Sequence, residues 1–151
     1  MNEPTLEARW LMTLRGTIAE PNPVGTNLLI FNVLEASMEG ANIRARLASP
    51  SGDWVRVQPN GDWRLDVRLL MITDDDATIY STYSGIVVWT PELQARVAAG
   101  DAINGDEIYF RSAPYFETAS EKYAWLNRML TVGKLRRFGG GEVVYDIFEI
   151  L

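Results

Sequence analysis

The chain has 151 residues, 47% hydrophobic, 11% aromatic and 23% charged, a length and balance that suit one packed globular domain and not a disordered or fibrous chain. It contains no cysteine and no histidine, which removes thiol nucleophiles, imidazole bases, Ser-His-Asp triads, zinc sites and the usual haem ligands together. Lys and Arg number 14 against 20 Asp and Glu, a net charge of −6, so the field of the molecule opposes nucleic acid as a partner.

The N-terminal stretch carries acid where a secretory signal carries base, and no apolar run approaches the roughly 18 residues of a membrane span. These features read as a cytoplasmic protein with no membrane partner. Beyond them, short alternating segments broken by Gly, Pro, Asn and Asp predict antiparallel strands joined by turns. Residues 9–18 place Trp10, Met12, Leu14 and Ile18 on one face, and the nearly continuous apolar run at 28–34 predicts burial on both sides. Residues 41–47 set Ile43, Ala45 and Leu47 against Asn42, Arg44 and Arg46. Residues 62–73 set Leu65, Val67, Leu69 and Met71 against Asp66, Arg68, Leu70 and Ile72. The second face of that last segment is half apolar and half charged, which fits either a solvated wall or a polar barrel lumen.

A strand at 77–83 leads to one short helix, with Thr90 as cap, Pro91 first, Glu92 in the first turn and Gly100 as the stop. Strands at 107–112, 125–132 and 143–150 complete a mainly β chain, read as one domain over 1–151 with the helix near one barrel mouth. Turns fall at Pro59-Asn60-Gly61, Asp74-Asp75-Asp76 and Gly139-Gly140-Gly141. The aspartates lack EF-hand spacing and read as a charged turn, and the glycines lack phosphate-loop or dinucleotide spacing and read as a hairpin connection. Neither a metal nor a cofactor is called for.

The segment Tyr109–Thr118, followed by Tyr123–Arg128, mixes aromatic and polar residues as small-molecule pockets do. This expectation turns Arg111 and Asn127 inward among the rings.

Three blocks in this order resemble a known family of bacterial and fungal proteins, the domain of unknown function 3237. They are Ser51-Gly52-Asp53-Trp54 with Pro59-Asn60-Gly61; Leu65-Asp66-Val67-Arg68 leading to Thr73-Asp74-Asp75-Asp76-Ala77-Thr78-Ile79-Tyr80; and Tyr109 to Thr118 with Tyr123 to Asn127. The resemblance extends from about Gly40 to the closing Val144–Ile150. It departs at Ser51 and Asp76, where the family has glycine, and is poor over 20–39. It implies a compact antiparallel β-barrel that folds without a cofactor.

In such a barrel the candidate catalytic set is Asp53 as general base, Tyr80 as proton donor, and Arg111 and Asn127 as oxyanion partners. Trp54, Asp66, Arg68, Tyr109, Phe116 and Trp125 are the candidate substrate-binding residues. A carboxyl walled by Trp54 and Trp125 would be desolvated, with its pKa raised toward the range useful for proton transfer. The set suits a cofactor-independent isomerase, lyase or cyclase acting on a small aromatic or polyketide-like carbonyl compound. The alternative is a noncatalytic carrier of a hydrophobic metabolite. A homodimer or larger closed assembly is expected from general frequency.

Overall fold

Alternation of large apolar and polar residues pleats most of the chain into strands, in a computed structural model that describes residues 2–151. The elements are β1 (Ala8–Ile18), β2 (Asn22–Val24), β3 (Leu28–Gly40), β4 (Arg44–Val57), β5 (Trp63–Thr73), β6 (Thr78–Val88), α1 (Pro91–Ala98), β7 (Ile103–Asn104), β8 (Tyr109–Glu117), β9 (Thr131–Gly139) and β10 (Glu142–Ile150). They form one 10-stranded antiparallel sheet in the order β1-β10-β9-β8-β6-β5-β4-β3-β2, with β7 on β9. A further pairing of β1 with β3 joins the ends and closes the barrel, which among the described residues leaves no long edge strand unpaired.

The helix follows its sequence signals. Thr90 Oγ1 accepts from the Leu93 amide at 3.2 Å, Pro91 opens the first turn, and Gly100 at φ 93° ends it. The aspartate turn also closes as expected, with Asp76 held at φ 65°, a left-handed conformation that glycine adopts more freely.

Three local expectations are corrected. Trp10 leaves the face of Met12 and Leu14 because a bulge between Trp10 and Met12 shifts the register with β10, and it is 47% exposed. Leu34 is exposed, in a stretch of β3 where the register with β4 shifts between Asn32 and Ser37. The strand expected at 125–132 starts only at Thr131, after a 3-10 segment at Ala124–Arg128. There Tyr123 and Leu126 are both buried, and the Leu126 amide donates to the Tyr123 carbonyl at 3.0 Å. Burial spaced by three suits the 3-10 period and not the period of two.

One end of the barrel is solid. Met12, Met38, Met71 and Ile79 are completely buried there, and Ser81 Oγ lies among these inward positions without a hydrogen-bond partner. The flexible methionine side chains fill this irregular floor. The other half is open inside.

Candidate functional site

The site begins with the register of β4. Between Ala48 and Gly52 two extra residues loop out of the ladder with β5. Ser51 stitches the loop by donating to the Ala48 carbonyl and accepting from the Leu70 amide, both at 3.0 Å. An even insertion preserves the alternation, so Asp53 faces the same way as Ala45 and Leu47. It stands opposite Phe31 on β3 and Val67 on β5, two buried inward residues.

Asp53 therefore lines a lumen walled by Leu14, Phe31, Trp63, Leu65, Tyr83 and Tyr145 among others, and among the described residues it is the one charged group in that wall. The empty space totals about 550 Å³ with solvent at the mouth, while the volume open to the centre of a water molecule is about 50 Å³. It is a narrow slot. Burial pushes the Asp53 carboxyl from 3.8 up to about 7, against the opposing hydrogen bond from the Asp66 amide. Burial also raises Tyr83 and Tyr145 above the ordinary phenol value, and the nearby Asp53 charge adds to both shifts. A carboxyl near neutrality beside two protonated phenols can donate or accept a hydrogen bond.

From this slot a chain of rings runs to the mouth. Tyr83 meets Tyr145 edge to face with centroids 6.0 Å apart, Tyr145 meets Phe110 at 5.5 Å, and Phe110 meets Phe138 at 5.9 Å. Phe138 meets Trp89 at 5.9 Å, Trp89 meets Trp63 at 5.3 Å, and Trp63 meets Phe31 at 5.6 Å. Edge and tilted contacts of this kind are the favoured geometries for aromatic pairs. At the mouth, beneath α1 and the Gly139–Gly141 turn, lies a vestibule with about 500 Å³ open to the centre of a water molecule. Ile18, Phe31 and Trp63 belong to both linings, so slot and vestibule adjoin. Trp89 also lines the vestibule, and its indole nitrogen is buried without a hydrogen-bond partner. A lumen of this kind can take a small hydrophobic or aromatic molecule.

Of the sequence candidates, Asp53 alone lines the slot. The expected convergence around it is corrected. Tyr80 and Asn127 do come together, but in an open groove on the outside with Asp75 and Glu117. Asn127 there pins a loop, accepting from the Thr118 amide and donating to the Thr118 carbonyl, both at 2.9 Å. Arg111 alternates out of the lumen from Phe110, and its guanidinium lies 5.0 Å from the centre of the Tyr109 ring, which is 55% exposed. Asp66 and Arg68 form an exposed pair at 3.7 Å, and Arg68 covers Trp54 on the outer wall at 5.4 Å. The two-sided character of β5 is thus a solvated wall. Phe116 is buried yet absent from the slot, and Trp125 packs half-buried against the core. The carboxyl is desolvated by Phe31, Trp63, Leu65 and Val67 in place of Trp54 and Trp125.

Tyr83, Tyr145 and Trp63 also line the slot and carry no local motif that singles them out. Their signal was parity: Trp63 shares the face of Leu65 and Val67, and Tyr83 shares that of Ile79 and Val87.

The profile of the family described as "Protein of unknown function (DUF3237)" matches residues 4–150. The chain belongs to this family. The match covers the 20–39 region that had looked divergent. A UPF0311 protein of Rhodopseudomonas palustris is 30% identical over 98% of this chain and 99% of its own. A crystal structure of a conserved protein from that organism covers 99% of this chain and 100% of its own, with 29% identity and a TM-score of 0.92. A β-barrel-like protein of Acinetobacter baumannii, 26% identical, covers 99% of both chains with a TM-score of 0.77. The structure of an enzyme from Penicillium herquei covers 100% of this chain and 99% of its own at 18% identity and a TM-score of 0.65, a likeness of fold. Among the described residues this DUF3237 barrel holds no group of His, Cys, Asp and Glu arranged for a metal ion, and no helix long and apolar enough to cross a membrane.

Proposed function

We propose that the barrel binds a small, flat, mostly apolar molecule carrying one hydroxyl or carbonyl group, with that group seated at Asp53. The observation that carries this reading is a lone carboxyl, raised to about 7, in a slot otherwise lined by aliphatic and aromatic groups. Apolar walls supply affinity, and the fixed polar group orients the ligand. An anionic ligand is disfavoured, because the slot offers no cation and the molecule carries a net charge of −6.

Titration calorimetry with 4-methylphenol tests the reading. Gly16 lines the slot, and a Cβ built there meets nothing nearer than 3.5 Å. Gly16→Leu is therefore expected to fill the slot and to weaken binding at least tenfold while the barrel still melts cooperatively. Absence of binding to the native chain, or binding indifferent to Gly16→Leu, overturns the proposal.

The raised carboxyl favours a second reading, proton transfer at a carbon beside a carbonyl. Asp53 would take the proton, and the Tyr83 or Tyr145 hydroxyl would donate a hydrogen bond to the resulting enolate oxygen. Deuterium wash-in to 2-tetralone in heavy water checks this. Exchange above the buffer rate that falls about a hundredfold in Asp53→Asn supports it; exchange equal to buffer, or unchanged in that variant, rules it out and leaves the binding reading.

A further inference from the structure

The slot opens about 50 Å³ to the centre of a water molecule and the vestibule about 500 Å³. The two share the Ile18, Phe31 and Trp63 wall, and the ring chain from Tyr83 to Phe31 passes along both. Pro21, Leu29, Val97, Ala98 and Phe138 make the vestibule largely apolar. A ligand longer than the slot extends past the Ile18, Phe31 and Trp63 wall, and the vestibule is an apolar space that adjoins it there.

We propose that the vestibule is an outer subsite, and that the ligand class is two-part: a narrow phenol- or enol-like head at Asp53 and an apolar tail running out beneath α1. The proposal rests on the slot reading above.

The methyl, ethyl, propyl, butyl and hexyl esters of 4-hydroxybenzoate serve as probes, titrated by calorimetry beside 4-methylphenol. Burying the tail tightens binding by up to about fourfold for each methylene. Ala98 and Gln94 are exposed positions on α1 that line the vestibule. In Ala98→Trp, and independently in Gln94→Trp, the gain with chain length is expected to vanish while α1 remains folded by circular dichroism. If 4-methylphenol binds and the esters show no gain with length, or the gain persists in both tryptophan variants, the outer subsite is wrong and the slot reading stands. If 4-methylphenol itself fails to bind, both fall.

Discussion

The Asp66 amide donates a hydrogen bond to Asp53 Oδ1 at 3.2 Å, while the Asp66 carboxylate faces solvent beside Arg68. One strand thus supports the half-buried acid with its backbone and keeps its own charge outside. That single bond does not offset the loss of water, and the Asp53 carboxyl stands at about 7 against 3.8.

The folded chain therefore holds this proton more tightly than the unfolded one. The associated stability is fully present below about pH 4 and is lost as the pH rises to about 7, by at most about 4 kcal/mol. Asp53→Asn keeps the acceptor for the Asp66 amide and abolishes the ionisation. Urea unfolding is expected to show the variant more stable than the native chain at pH 8 and level with it near pH 4. A native chain whose stability does not fall across that window contradicts a carboxyl raised by desolvation.

Asp75 has the opposite sign. Lys122 Nζ lies 2.6 Å from one of its oxygens, and the Thr73 and Tyr123 hydroxyls donate to the other at 2.7 Å. These hydrogen bonds, that of Lys122 foremost, hold its carboxyl well below the ordinary carboxylate range. Such a group stabilises the fold above about pH 4 and ceases to do so as the pH falls further. Asp75→Asn is expected to lower the melting temperature at pH 7, with the deficit shrinking toward pH 2 in parallel thermal scans.

Gly105 packs against the backbone of β9. A Cβ there would lie 1.6 Å from the Leu135 carbonyl oxygen, which no rotamer change relieves because the Cβ position is fixed by the backbone and its neighbour is main chain. Gly105→Ala is expected to cost about 3 kcal/mol or more, or to prevent folding. Chemical denaturation measures it, and a loss below about 1 kcal/mol would mean that β9 and the 103–105 segment separate easily.

Inner and outer walls should respond differently to substitution. Tyr83→Phe keeps the ring against Tyr145 and removes one hydroxyl, so 4-methylphenol is expected to bind about fivefold more weakly, the value of one ordinary hydrogen bond. Arg111→Ala and Arg68→Ala change only the exterior and are expected to leave that affinity within about twofold. Calorimetry on the three variants checks the assignment of faces. An Arg111→Ala loss larger than that of Tyr83→Phe would reverse it.

Local pattern was sufficient wherever burial depends on neighbours in the chain. The alternation of Ile43, Ala45 and Leu47 with arginines, the Thr90-Pro91 helix start and the Asp74–Asp76 turn all follow from short-range sterics and from one face shedding water. Asp53 was singled out as a carboxyl walled by Trp54 and Trp125, and it lines the slot among other apolar neighbours. Trp10 was not legible, because an extra residue in β1 bulges against β10 and reverses its face.

The convergence of groups on one ligand lies beyond such rules. Alternation sorts a strand into two faces without saying which becomes the lumen once β1 closes on β3, so Arg111, Asp66 and Arg68 were as eligible as Tyr83, Tyr145 and Trp63. Closure settles it by desolvation: the wall facing inward excludes charge except where geometry leaves room for one carboxyl, and the other wall keeps its ions in water. The sequence by itself determined the β class, the turns, the helix and the absence of imidazole and thiol chemistry. Tertiary structure alone decided that Asp53 shares a narrow aromatic slot with two phenols, because those residues come from strands far apart in the chain and share a surface only after the barrel shuts.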